Sequence, residues 1–302
     1  MTGFERITAD GPAPPFRLLR PTVWRAGLIV ASPHSGRDYP AWFVAESQLP
    51  MVQLRSSEDA FVDHLAAQAL GAGAVVLTAT APRALIDLNR AEDDLDPVTV
   101  AGLGRTNCSA RAMSGLGVVP RVVGQGRAIR AAAISVDDAR ARVAAFWTPY
   151  HVKLQALMAD AVEQFGHAVL IDLHSMPRDA LTHLGHPLPE LVLGDLNGRS
   201  SAPEITAALS GSLRAGDAQT GAFRMRMNSP FAGAHILARY GRPSAGRHAL
   251  QLEIDRTLYM DELRVVPHTG LGQIAARMRH VFARMADQLD QSGNDLAAVA
   301  AE

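Results

Sequence analysis

Short, unbroken runs of Val, Ile, Leu and Ala recur along the chain, each closed abruptly by polar residues. They run from Gly27 to Ala31, Ala74 to Leu77, Ala84 to Ile86, Ala168 to Ile171 and Leu191 to Leu193, with a sixth, more alternating run from Ala249 to Ile254. Side chains alternate between faces along a strand, so continuous apolar runs of this length predict strands covered on both sides, as in parallel or mixed sheets. Between them, apolar residues recur at helical spacing. Ser57 to Leu70 predicts a helix with Ser57 as N-cap and Glu58 and Asp59 complementing the dipole in its first turn. Ser135 to Phe165 opens with Ser135, Asp137 and Asp138 and carries Val143, Phe146, Tyr150, Leu154, Leu157 and Val162, with Pro149 placed to divide or kink it. Leu271 to Leu296 predicts a long terminal helix with a break at Ser292-Gly293-Asn294, whereas Gly102 to Gly126 is Gly-rich and aperiodic and reads as an extended surface loop.

Strands and helices alternate with no composition shift or linker. The expectation is therefore one domain spanning residues 1–302, with an α/β fold of three layers, α/β/α, around a mixed, mostly parallel central sheet. At 302 residues, 48% of them hydrophobic, the chain can bury a large core. A net charge of -1 leaves no electrostatic footprint for nucleic acid or an anionic membrane surface. The N-terminal stretch through Glu5, Arg6, Pro12 and Pro14 has no secretory pattern, and no apolar run approaches the roughly 20 residues of a membrane span. A soluble, cytoplasmic protein is expected, and nothing in the sequence fixes its oligomeric state. The single cysteine, Cys108, forbids an internal disulfide and suits a reducing compartment; with no histidine near it in sequence it reads as a non-catalytic thiol.

Chemistry concentrates where the apolar runs end. Ligands of open α/β sheets gather at the carboxyl ends of strands. Polar groups placed directly after buried strands are costly unless they pair or bind something. Four runs carry such clusters: Ser32-Pro33-His34-Ser35-Gly36, Asp87-Leu88-Asn89-Arg90, Asp172-Leu173-His174-Ser175, and Gln251 through Arg256. Catalytic zinc takes three protein ligands, commonly two histidines and a carboxylate. His34 and His174 are the natural histidines, and Glu58 or Asp59 the carboxylate. Asp172, two residues before His174, falls on the same strand face and can accept the free ring N–H. Glu253 lies mid-strand, with Leu250, Leu252 and Ile254 on the opposite face, and suits a general base. Arg83 and Arg90 flank the Asp87 run and can grip a carboxylate or stabilise an oxyanion. His64, His151, His167 and His280 fall in or beside helical segments and read as surface residues. His183, His186 and His268 lie in predicted loops, while His235 and His248 flank site segments as further candidates for substrate contact.

Pro33-His34-Ser35-Gly36, Asp59-Ala60-Phe61-Val62-Asp63, Arg83 with Asp87-Leu88-Asn89-Arg90, Asp172-Leu173-His174-Ser175, Gly194-Asp195, Asn228-Ser229-Pro230-Phe231 and Gln251-Leu252-Glu253-Ile254-Asp255-Arg256 occur in this order. Together they resemble the N-formylglutamate amidohydrolase family, over residues 30 to 262. The order also resembles the wider zinc carboxypeptidase and aspartoacylase group, whose His-x-x-Glu ligand motif is absent here because Arg37 takes the acid's place. The resemblance implies zinc, or another divalent ion, held by His34, His174 and Asp59, with Glu58 as the alternative acid. It implies Arg83 polarising the scissile carbonyl, Asn89 and Arg90 holding a substrate carboxylate, and Glu253 as base. The implied reaction is hydrolysis of N-formyl-L-glutamate, or of another small N-acyl amino acid or peptide; a non-catalytic carboxylate-binding module is the reading from another class.

Overall fold

The computed structural model describes residues 14–103, 108–216 and 221–299. The N-terminal stretch through Pro12, and Asn107, lie outside them. Seven strands form the central sheet: β1 (Phe16–Leu19), β2 (Leu28–Ser32), β3 (Val75–Ala79), β4 (Ala168–Met176), β5 (Leu191–Gly194), β6 (Met225–Met227) and β7 (Arg247–Asp255). Their order is β1-β3-β2-β4-β7-β5-β6. β3, β2, β4 and β7 run parallel to one another, β6 runs parallel to β5, and β1 and β5 pair antiparallel with β3 and β7. The sheet is mixed and mostly parallel, as the apolar runs predict. The short edge strands β1 and β6 are half-exposed and lack the unbroken apolar signal.

Alternation along the strands divides the core. Leu28 and Val30 of β2, Val169 and Ile171 of β4, and Leu250 and Leu252 of β7 pack on one face, against α1 (Val62–Ala66), α5 (Pro203–Ala215) and α7 (Gly270–Val299). Ile29, Leu170 and Ala249 face the other way, against α4 (Thr148–Phe165) and α6 (His235–Tyr240). That second face changes character along its length. Beyond Leu170 and Ala249 the same alternation presents Asp172 and His174 on β4 and Gln251 and Glu253 on β7, so the floor of the core becomes the floor of a cavity.

Four local expectations are corrected. Ala84 to Ile86 is not a strand: Leu85 and Ile86 donate their backbone N–H groups to Pro82 O, folding the run into a buried turn whose apolar side chains serve two core clusters. Glu58 and Asp59 precede their helix rather than opening it. Asp59 N–H donates to His34 O at 3.0 Å, and Phe61 adopts a left-handed φ of 66°, so α1 starts only at Val62. α7 continues through Ser292–Asn294 without a break. The stretch from 102 to 126, outside residues 104–107, carries the short helix α2 (Ala110–Met113) and buries Val118, Val119 and Val123, so it is a cavity wall more than a surface loop. The Ser135 expectation holds: Ser135 Oγ accepts Asp138 N–H at 3.0 Å to cap α3 (Val136–Arg142), a π-helical turn follows, and Pro149 sits in the first turn of α4.

Candidate active site

Three segments meet above the carboxyl ends of β2 and β4. His34 lies two residues beyond β2, held in a turn by the Ser32–Ser35 hydroxyl pair, 2.9 Å apart. His174 rides on β4 itself, and Asp59 is brought in by its backbone bond to His34 O. All three are buried, and one ligand atom from each lies within 4.8 Å of the others. His174 Nδ1 is 3.0 Å from Asp59 Oδ2, and His34 Nδ1 is 3.5 Å from the same oxygen, with no hydrogen-bond partner.

The far sides of both rings are anchored. His34 Nε2 is 2.7 Å from Asp87 Oδ1, and His174 Nε2 is 2.9 Å from Asp172 Oδ2. A carboxylate only accepts, so each Nε2 donates its proton there; Nδ1 of His174 donates to Asp59 when the ring is protonated and turns its lone pair into the same space when the ring is neutral. Asp172 behind His174 follows from i, i+2 strand alternation. Asp87 behind His34 joins residues 53 apart in sequence, which no local spacing reveals.

The charges around this set are unbalanced. Asp59, Asp87, Asp172 and Glu253 converge on it, whereas the guanidiniums paired within the cluster are those of Arg83, on Asp87 Oδ2 at 3.1 Å, and Arg256, on Asp59 Oδ1 at 2.9 Å. Burial opposes the ionisation of Asp59, yet His174, His34 and Arg256 hold its pKa well below the usual range; Arg83 and His34 do the same for Asp87 against its own burial. Despite burial, Asp172, Asp59 and Glu253 draw the His174 pKa well up. With both imidazoles neutral, as ligation requires, and Glu253 ionised, four carboxylates against two guanidiniums leave two negative charges. With an orphaned imidazole nitrogen aimed at a carboxylate oxygen, the buried group matches the donor set and charge of a divalent cation.

Glu58 is corrected as a candidate ligand. Its carboxylate accepts from Arg55 Nε at 2.9 Å and from Tyr39 Oη at 2.6 Å, and it does not belong to the His34–Asp59–His174 group. Glu253 pairs in register with His174 on the adjacent parallel strand and opens into the same cavity. Burial pushes its pKa up to about 7 against the pull of His174, Arg83 and Arg256. Arg256 does not ion-pair with Glu253; it braces Asp59 and donates to Ser175 Oγ at 3.1 Å. Gln251 Nε2 donates to Glu253 Oε1 at 3.0 Å.

Asn89 sits between the elements. Its Oδ1 accepts Ile236 N–H at 2.8 Å, and its Nδ2 donates to Asp172 Oδ2 at 3.3 Å, so its amide braces the carboxylate behind His174 while lining the cavity. Arg90 donates to Leu116 O at 2.8 Å and to Asn89 O at 3.1 Å, and among the described residues pairs with no carboxylate. The cavity, about 750 Å³, is closed by Pro230 to Ala234 on one side and by Arg111, Leu116 and Val122 on another. Asn228 Nδ2 donates to Asp195 Oδ1 at 2.8 Å and pins the first of these walls to the end of β5. Arg111 falls in the aperiodic stretch, where spacing carries no signal. His235 opens α6 beside the neighbouring recess, with Nε2 buried and unpartnered. His248 accepts Ala202 N–H away from the cavity. His151, expected at the surface, is buried between Tyr240 Oη and Leu88 O, each 2.8 Å away. Cys108 is free and half-buried in the recess beside Arg111.

The profile of the family described as N-formylglutamate amidohydrolase matches residues 26–260. An N-formylglutamate deformylase of Pseudomonas aeruginosa is 29% identical over 269 residues, 88% of this chain and 93% of that protein. Another from Pseudomonas putida is 30% identical over 241 residues, 79% of this chain and 83% of its own length. The crystal structure of an N-formylglutamate amidohydrolase from Ralstonia eutropha superposes with a TM-score of 0.85 at 30% identity, covering 93% of this chain and all of the other. No helix among the described residues is long and apolar enough to cross a membrane. With matches of this extent and a buried His–Asp–His group at the sheet's carboxyl edge, the chain belongs to the N-formylglutamate amidohydrolase family and is an amidohydrolase.

Proposed function

We propose that the protein hydrolyses N-formyl-L-glutamate to formate and L-glutamate, using zinc held by His34, Asp59 and His174. One observation carries the reading: Glu253 stands in register with His174 on the neighbouring strand and faces the same cavity as the buried His34–Asp59–His174 group. When bound, zinc supplies Lewis-acid polarisation of a carbonyl and acidifies a water.

The chain's own groups do the rest. Glu253, with a proton affinity raised to about 7, takes a proton from water as its oxygen attacks the formyl carbon. Arg83 lies at the cavity edge with its charge secured by Asp87, Asp59 and Glu253 against burial, and stabilises the oxygen that becomes negative. The C–N bond breaks as Glu253 returns the proton to the departing amine. Arg90, whose hydrogen bonds among the described residues go to backbone carbonyls alone, is left to hold a substrate carboxylate, while Asn89 aligns Asp172. The relatives' names support the substrate, and the charge deficit of the buried group supports a divalent ion.

The test is metal analysis of the purified protein, with amine release from formyl-, acetyl- and longer acyl-amino acids. About one zinc per chain and turnover led by N-formylglutamate are expected. Glu253→Gln is expected to keep the metal while turnover falls by about 10²–10⁴, the usual contribution of a positioned base. Undiminished turnover would remove Glu253 from this role, and a longer acyl chain as best substrate would replace the formyl group.

A further inference from the structure

Four arginines line the cavity, and their partners divide them into two kinds. Arg83 and Arg256 are neutralised by Asp87 and Asp59. Among the described residues, Arg90 is tied only to the carbonyls of Leu116 and Asn89, which orient a guanidinium without cancelling its charge. Arg111, on α2, has no hydrogen bond or ion pair from its guanidinium among the described residues. Asp94, which shares the adjoining recess with Arg90 and Arg111, accepts from Ser109 N–H and its hydroxyl at 2.8 Å each and makes no ion pair with either arginine. Asp93, in the same recess, makes no ion pair with Arg111. Residues 104–107, Gly-Arg-Thr-Asn, contribute no acid by sequence.

Two guanidiniums that make no ion pair among the described residues thus face one cavity. Partial burial, together with the charges of Arg90 and Arg83, holds the Arg111 pKa below its ordinary value. Guanidiniums gathered on one cavity wall build a local potential that an anionic ligand relieves. A guanidinium fork binds a carboxylate through two parallel hydrogen bonds, and two such forks match a ligand with two carboxylates. A substrate with a single carboxylate would leave one fork unmatched.

We propose that Arg111 is the specificity-determining residue for a dicarboxylic substrate, binding its side-chain carboxylate while Arg90 binds the α-carboxylate. The assignment rests on the hydrolytic reading above. Arg90 follows Asn89, whose Nδ2 lies 3.2 Å from His174 Nε2, whereas Arg111 stands on the wall that α2 contributes to the cavity. Among N-acyl amino acids, the site therefore selects acidic ones over their amides.

The experiment compares kcat/KM for N-formylglutamate and N-formylglutamine in zinc-loaded wild type, Arg111→Gln and Arg111→Lys. Losing one charge-assisted fork is expected to lower the glutamate-over-glutamine ratio about ten- to a hundredfold in Arg111→Gln, chiefly through KM. Arg111→Lys is expected to recover part of it. An unchanged ratio in Arg111→Gln, whatever the absolute activity, overturns the assignment. Calorimetric binding of glutarate and butyrate to the same proteins reads the site without turnover. Weakened glutarate binding with unaltered butyrate binding supports Arg111 even if no formyl-amino acid is hydrolysed, in which case the hydrolytic reading falls and the dicarboxylate site stands. Equal loss of both ligands, or of neither, counts against Arg111.

Discussion

Replacing Asp172 by Asn changes one atom type at a fully buried position and tests how the site prepares its donors. His174 Nε2 lies 2.9 Å from Asp172 Oδ2, and the ring's other nitrogen faces Asp59 at 3.0 Å. The carboxylate fixes the tautomer, because it accepts from Nε2 and leaves the Nδ1 lone pair free. An asparagine has two choices. With its oxygen toward the ring, it exchanges a charge-assisted hydrogen bond for a neutral one, about half as strong. With its nitrogen toward the ring, it moves the ring proton to Nδ1 and removes a donor. Asn89 Nδ2, 3.3 Å from the same oxygen, favours the first arrangement because it too needs an acceptor there. The expected outcome is metal affinity weakened about ten- to a hundredfold, or ~1.4–2.7 kcal/mol. Competition against a chromophoric chelator measures it directly, with wild type alongside at the same pH. Affinity within threefold of wild type would refute tautomer control by Asp172.

Two further outcomes follow from the geometry. Burial pushes the His151 pKa down to about 3 from an unfolded value near 6.5, so the unfolded chain binds this proton more tightly. Stability is therefore complete above about pH 6.5 and is lost as pH falls toward 3, by up to roughly 5 kcal/mol. Urea midpoints across that range should slope less in His151→Gln, and an identical slope would sink the assignment. At Gly36 an added Cβ would stand 2.1 Å from Ala81 O, a backbone atom that cannot swing aside. Gly36→Ala is expected to shift the turn that holds His34, lowering both the melting temperature and the metal content; unaltered values of both would contradict the packing described.

The central sheet was legible because its strands are covered on both faces and read as continuous apolar runs. The same rule misread Ala84 to Ile86: a buried turn and a buried strand are equally apolar, and only the bonds to Pro82 O separate them. The helix expected from Ser57 failed through tertiary override, since Asp59 is held by His34 O, His174 and Arg256. His151 carried a signal that went unread. It lies on the stripe of Trp147, Leu154 and Met158, the buried face of α4. In the site, Asp172 and Glu253 followed from strand alternation. Asp87 behind His34 and the unpaired Arg111 did not, because the first is a long-range contact and the second sits where the sequence has no period.

The ligand group also bears on how the chain matures. Its donors come from a turn after β2, a segment before α1 and the middle of β4, and Asp59 and His174 are 115 residues apart. No short stretch of a nascent chain holds the set, so an ion met during synthesis finds no chelating fragment before β4 has emerged and docked beside β2. Arg256, which steadies Asp59, arrives later still, just past β7. The complete donor set thus forms only once β4 has docked beside β2, and a chain cut short before β7 would hold the three donors without the arginine that steadies Asp59.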